Sequence, residues 1–111
     1  ILCALSGGSM AHFRLPAGQV SGAVRHRTVE EIWYVIAGRG EMWRARGHVE
    51  DTTPLVPGTC LTIPVGTAFQ FRASGDEALA IVAITMPPWP GDNEADIVAG
   101  PWQPTRQPDR T

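Results

Sequence analysis

Apolar, β-branched and aromatic residues recur along the chain in short runs that alternate with polar ones, the period of two of a strand with one buried face. The clearest run covers 30–36, EEIWYVI, where Glu31, Trp33 and Val35 fall on one face and Ile32, Tyr34 and Ile36 on the other. The same pattern predicts strands near 10–15, 20–25, 30–36, 41–46, 49–56, 60–63, 68–73 and 78–86. Between them stand turn signals: Pro16-Ala17-Gly18, Gly38-Arg39-Gly40, Pro57-Gly58, Pro64-Val65-Gly66 and Ser74-Gly75-Asp76. Each supplies the fixed or positive φ of a tight turn. No segment keeps the period of a long amphipathic helix. Eight short strands at this spacing predict an all-β, antiparallel jelly-roll barrel of two sheets around one interior.

The pattern stops after Met86. Residues 87–111 hold most of the prolines, so this Pro-rich extension is expected to run extended over the surface rather than inside a sheet. Trp89, Ile97, Val98 and Trp102 give it apolar anchors, which predicts packing against the barrel or a partner subunit as far as about Trp102, with the last residues disordered. The division expected is a barrel over 1–90 and an extension over 91–111.

A chain of 111 residues, 43% hydrophobic, is long enough for one buried core and too short for two. Its net charge of -2 and scattered arginines give no footprint for nucleic acid. Every basic residue is Arg; with no Lys there is no Schiff-base chemistry and no P-loop lysine. Cys3 and Cys60 lie outside any Cys/His cluster and are expected as reduced, mostly packed thiols of a cytoplasmic protein. No apolar run is long enough to span a bilayer. The chain starts at Ile1, a start compatible with upstream residues missing from it.

Two stretches carry candidate chemistry. In the first, Gly18 is followed by five residues, Val24, Arg25, His26, four residues, Glu31, six residues and Gly38. In the second, Pro57-Gly58 lead through five residues to Pro64, Val65 and Gly66, then two residues to Phe69 and three more to Ala73. The chain resembles the cupin family on these two motifs, which together span about half of it. The resemblance implies the cupin double-stranded β-helix and, from small one-domain cupins, a homodimer. It also implies that Val24, His26, Glu31 and Phe69 face inward where the family holds a divalent metal with three histidines and a glutamate. Two of those four positions are hydrocarbon here.

Catalytic metal sites normally use three protein ligands, so His26 and Glu31 alone predict either no cofactor or a weakly held divalent ion such as Mn, Fe, Ni or Zn. Gln70 becomes a third ligand only if its strand slips by one residue, turning Phe71 outward. His26 and Glu31 also suit proton transfer: histidine titrates near neutrality, and a carboxylate in an apolar interior is desolvated. Val24, Trp33, Phe69 and Phe71 are expected to line the pocket, or to fill it. On the next hairpin, Trp43 and Ala45 are expected inward, with Arg44 and Arg46 outward. Three readings stay open. They are a small-molecule pocket protein with metal-independent isomerase or cyclase chemistry, a divalent-metal isomerase or dioxygenase with an atypical ligand set, and a non-catalytic small-ligand binding or sensor module.

Overall fold

The computed structural model describes residues 1–105. The strands are β1 (Cys3–Leu5), β2 (Gly8–Leu15), β3 (Val24–His26), β4 (Glu30–Ala37), β5 (Arg39–Arg46), β6 (Val49–Leu55), β7 (Cys60–Ile63), β8 (Ala68–Ser74), β9 (Leu79–Met86) and β10 (Ala95–Ile97), with one 3-10 turn at Asp92–Glu94. They form two five-stranded sheets, ordered β1-β2-β9-β4-β7 and β10-β3-β8-β5-β6, with antiparallel pairing throughout. This is the jelly roll that the alternation predicts. Among the described residues no helix is long and apolar enough to cross a membrane.

The inner faces of the two sheets supply the core. Phe13, Trp33, Val35, Met42, Phe71 and Ile81 interdigitate there, each fully or almost fully withdrawn from solvent. The phase of β4 is as expected: Glu31, Trp33 and Val35 are buried, whereas Ile32, Tyr34 and Ile36 are exposed. At the β4–β5 turn, Gly38 takes φ +81 and its backbone lies against the Ala78 carbonyl, so no side chain fits.

Three details depart from the sequence reading. The 20–25 stretch is not one strand: Val20 makes an isolated bridge to Arg72, and regular pairing resumes only at Val24. Between them Ser21 bonds Phe71 instead, its amide donating to the Phe71 carbonyl and its hydroxyl accepting from the Phe71 amide. On β5 the inward residues are Gly40 and Met42, while Trp43 and Ala45 belong to a second apolar cluster with Ala23, Ala68, Val98 and Trp102. Cys3 and Cys60 are exposed free thiols, not packed ones.

The chain after β9 explains that second cluster. It passes over His26, where the Trp89 amide donates to Ser9 Oγ, and then adds β10 beside β3 in the register Ala95↔His26 and Ile97↔Val24. The ten proline-free residues 91–100, between proline-rich flanks, leave room for one short edge strand. From there the segment lies on the outer face of β8. The Val98 amide donates to the Ala23 carbonyl, Gln70 holds the Trp102 backbone at both its amide and its carbonyl, and the Arg72 guanidinium sits 4.1 Å above the Trp102 ring. A division at residue 90 therefore separates β10 from the sheet that it completes. The expected disorder of the last residues concerns positions outside those described.

Candidate functional site

β3 and β4 carry the two titratable side chains that meet in the interior. His26 is the last residue of β3 and Glu31 the second of β4, so the intervening turn brings them from opposite sheets to one place. Gly66, at φ +82 in the β7–β8 turn, donates its amide to the His26 carbonyl at 3.4 Å. His26 is 2% exposed and Glu31 1%. His26 Nδ1 lies 2.8 Å from Glu31 Oε2, a close contact set off the line of an ideal hydrogen bond. The other carboxylate oxygen, Oε1, accepts from Trp33 Nε1 at 2.9 Å.

Aromatic rings enclose this pair. The His26 ring meets Phe69 edge-on at 5.2 Å and Trp89 at 5.1 Å, and Trp33 contacts Phe13, Phe69 and Phe71 with centroids 5.0–5.9 Å apart. Val24 is paired with Phe69 across the β3–β8 ladder. The structure thus brings His26, Glu31, Trp33 and Phe69 into direct contact, with Phe71 behind Trp33. It does not bring Gln70 to them. β8 keeps its alternation, so Gln70 lies on the opposite face, fully buried, with its amide donating to the Ser21 and Trp102 carbonyls. The one-residue slip that would make Gln70 a ligand is therefore absent.

Two residues of the site were not singled out for it from sequence. Trp89 was legible only as an apolar anchor among prolines, yet its ring packs on His26. Glu94 carried no signal at all. Its carboxylate accepts hydrogen bonds from the Thr28 amide at 2.7 Å, the Thr28 hydroxyl at 2.6 Å and the Val29 amide at 2.8 Å, clamping the β3–β4 turn. Burial works against its ionisation, but these donors, with the nearby His26, hold its carboxyl below its ordinary value of 4.5. A depressed folded-state value adds stability that is present above 4.5 and lost as pH falls through the lowered one. Amide exchange protection at Thr28 and Val29 is therefore expected to hold near neutrality and to fall under acid before the barrel unfolds. Loss of protection only together with global unfolding would contradict the clamp.

The donor set does not suit a metal ion. Val24 and Phe69 put hydrocarbon at two of the four family positions, and both Glu31 oxygens already face His26 and Trp33. Among the described residues no three His, Cys, Asp or Glu side chains are grouped to hold one. Protein purified without chelators is expected to carry far less than one equivalent of divalent ion, and its melting temperature to stay unchanged on adding Mn, Fe, Ni or Zn. A stoichiometric ion that disappears in His26→Ala would reverse this assignment.

The pair is closed to solvent, with the His26 side chain 2% and the Glu31 side chain 0% exposed. The depression that Glu31 itself lines, with Ile63, Pro64 and Met86, measures about 180 Å³. Sites for drug-sized ligands run to about 300–1,000 Å³. A second depression, about 330 Å³, lies beside Thr28, Gly91 and Glu94. A larger one, about 570 Å³, is formed by the β1–β2 hairpin and Ile84, and neither His26 nor Glu31 lines it.

Comparison with known proteins agrees with this fold. A family model described as a cupin domain matches residues 11–85. Among solved structures, the chain resembles an uncharacterized conserved protein with a double-stranded β-helix domain from Klebsiella pneumoniae, at 19% identity and TM-score 0.73, covering 89% of this chain and 81% of that one. It also resembles KdgF from Halomonas sp., at 20% identity and TM-score 0.68, covering 78% and 76%. The capsular polysaccharide assembling protein CapF from Staphylococcus aureus matches at 16% identity and TM-score 0.72, covering 84% of this chain but 29% of CapF. No curated protein matches the chain significantly. At such identities these likenesses establish the fold alone.

Proposed function

The chain belongs to the cupin family, and we propose that it is a metal-independent small-molecule cupin in which His26 and Glu31 form a proton-transfer pair. The observation that carries this reading is the 2.8 Å contact between His26 Nδ1 and Glu31 Oε2 inside a mostly apolar interior. A carboxylate on Nδ1 fixes the imidazole tautomer and orientation, leaving proton exchange with a substrate to Nε2. Phe69 and Trp33 exclude water around the pair, which strengthens its electrostatics. The chemistry that fits is abstraction and return of a proton on one small organic molecule, an isomerisation or cyclisation. The exposed thiols Cys3 and Cys60 favour a cytoplasmic setting.

Trp89 has to move for this. The opening beside Glu31 is smaller than ordinary ligand sites, and the indole covers the imidazole. The same packing favours a second reading, a non-catalytic binding module whose ligand replaces Trp89 against Phe69 and Trp33. One experiment separates the two. Compounds that raise the melting temperature are incubated in D2O, and solvent deuterium is followed into their acidic C–H positions. Wash-in by the wild type that falls about 10²–10⁴-fold in Glu31→Gln supports proton transfer. Binding without wash-in, unchanged in both His26→Ala and Glu31→Gln, supports the binding module and removes the catalytic reading.

A further inference from the structure

The inner face of the β10-β3-β8-β5-β6 sheet turns polar at one end. Met42 stands opposite Phe71 on the β5–β8 ladder, both in the core, and Arg44 stands opposite Phe69. Opposed residues of an antiparallel pair share a face, so Arg44, and Arg46 two residues on, lie on the inner side rather than outward as the sequence reading had them. Arg44 reaches the other sheet, where its Nη1 donates to the Thr62 carbonyl of β7 at 2.7 Å. Its Nε and Nη2 donate to the Asp51 carboxylate, which balances its charge. Arg46, exposed at the rim, enters no ion pair among the described residues.

Thr67 is the neighbour of Arg46 in this arrangement. One step beyond the pairs Ala45↔Ala68 and Arg25↔Ala68, it falls between Arg46 on β5 and His26 on β3. It is 4% exposed, and its hydroxyl has no hydrogen-bond partner among the described residues. Buried hydroxyls are normally partnered, so this one is open to a ligand. Thr67 and both arginines line one depression of about 230 Å³, together with Asp51, Thr62 and Pro64. Thr62 and Pro64 are also walls of the depression that Glu31 lines. With Asp51 matched to Arg44, the charge left for a ligand is that of Arg46. A guanidinium fork beside a hydroxyl donor suits a carboxylate, and the volume suits a small molecule. We propose that this depression is the subsite for the carboxylate of a small organic acid, held by Arg46 and Thr67, with the rest of the molecule directed past Thr62 and Pro64 towards His26 and Glu31. That direction rests on the proton-transfer reading above; the anion site itself does not.

Titration of the isotope-labelled 111-residue chain with malonate, and separately with inorganic phosphate, tests it by nitrogen–proton correlation spectra. Saturable shifts at the Thr67 amide and the Arg46 Nε–H are expected with malonate at millimolar concentration, and none with sodium chloride at equal ionic strength. Arg46→Gln is expected to weaken binding about tenfold or more, and Thr67→Val about three- to tenfold. Thr67→Val also distinguishes a ligand donor from a structural one. Replacing an unpartnered hydroxyl by its isostere is expected to leave the melting temperature unchanged or raised, whereas loss of a hydrogen bond within the fold would lower it. Shifts no larger than those with chloride, binding that survives both substitutions, or a lowered melting temperature in Thr67→Val overturns the proposal. Phosphate that binds more tightly than malonate overturns the carboxylate assignment. Malonate binding without any deuterium wash-in removes only the proton-transfer reading, and wash-in without anion binding removes only this subsite.

Discussion

Trp33→Ala is expected to lower the unfolding free energy by about 3–5 kcal/mol, the range for truncating a large buried aromatic. Domains of this size are stable by only about 5–15 kcal/mol, so the variant would sit near the edge of folding. The indole is fully buried and contacts Phe13, Phe69 and Phe71, so its removal leaves a void between the sheets that rigid neighbours only partly close. It also strips Glu31 of the donor on Oε1. Trp33→Phe separates the two effects, keeping most of the volume while losing the hydrogen bond. It is expected to cost about 1–3 kcal/mol, the value for orphaning a buried polar partner. Urea unfolding measures both. Equal losses in the two variants would show that the hydrogen bond, not the packing, dominates.

The second large effect concerns the buried pair. Removing one partner alone, in His26→Leu or Glu31→Met, is expected to cost about 3–5 kcal/mol, because the other polar group stays buried and loses this contact. The double variant His26→Leu/Glu31→Met is expected to recover most of that loss, since two apolar groups of similar size fit an interior already lined by Phe69, Trp89 and Trp33. A residual penalty of about 1 kcal/mol belongs to Trp33 Nε1, which loses its acceptor. A double variant that folds as well as the wild type yet no longer responds to ligands would show that the pair is retained for chemistry at the expense of stability. A double variant as unstable as the two singles combined would show independent structural roles and count against the proton-transfer reading.

Much of the barrel could be read from local pattern. Strict alternation on β4 placed Glu31 and Trp33 inward and Ile32 and Tyr34 outward, because a half-buried strand has a period of two and little freedom to slip. The spacing of Gly18, His26, Glu31 and Gly38 led to the pair that meets in the interior, since both motifs report turn geometry as well as side chains. What escaped was non-local. Gln70 is buried by a segment some thirty residues later, so nothing near it in sequence distinguishes a hydrogen-bonded strap holder from a metal ligand. Trp43 is apolar on the outer face for the same reason, being covered by Val98 and Trp102. Glu94 resembles any surface carboxylate until its three donors from Thr28 and Val29 are in place.

The pairing of β10 with β3 has a consequence for synthesis. A nascent chain that has emerged only through Met86 already holds the strands that make both sheets, β10 excepted, but β3 still has a bare edge at His26. Trp89 and Glu94, which shield that histidine and brace the turn beside it, are translated after all of those strands. The ribosome therefore releases the scaffold before the chamber is sealed, and chains that stop at Met86 should keep the shape of the barrel while leaving its histidine open to water.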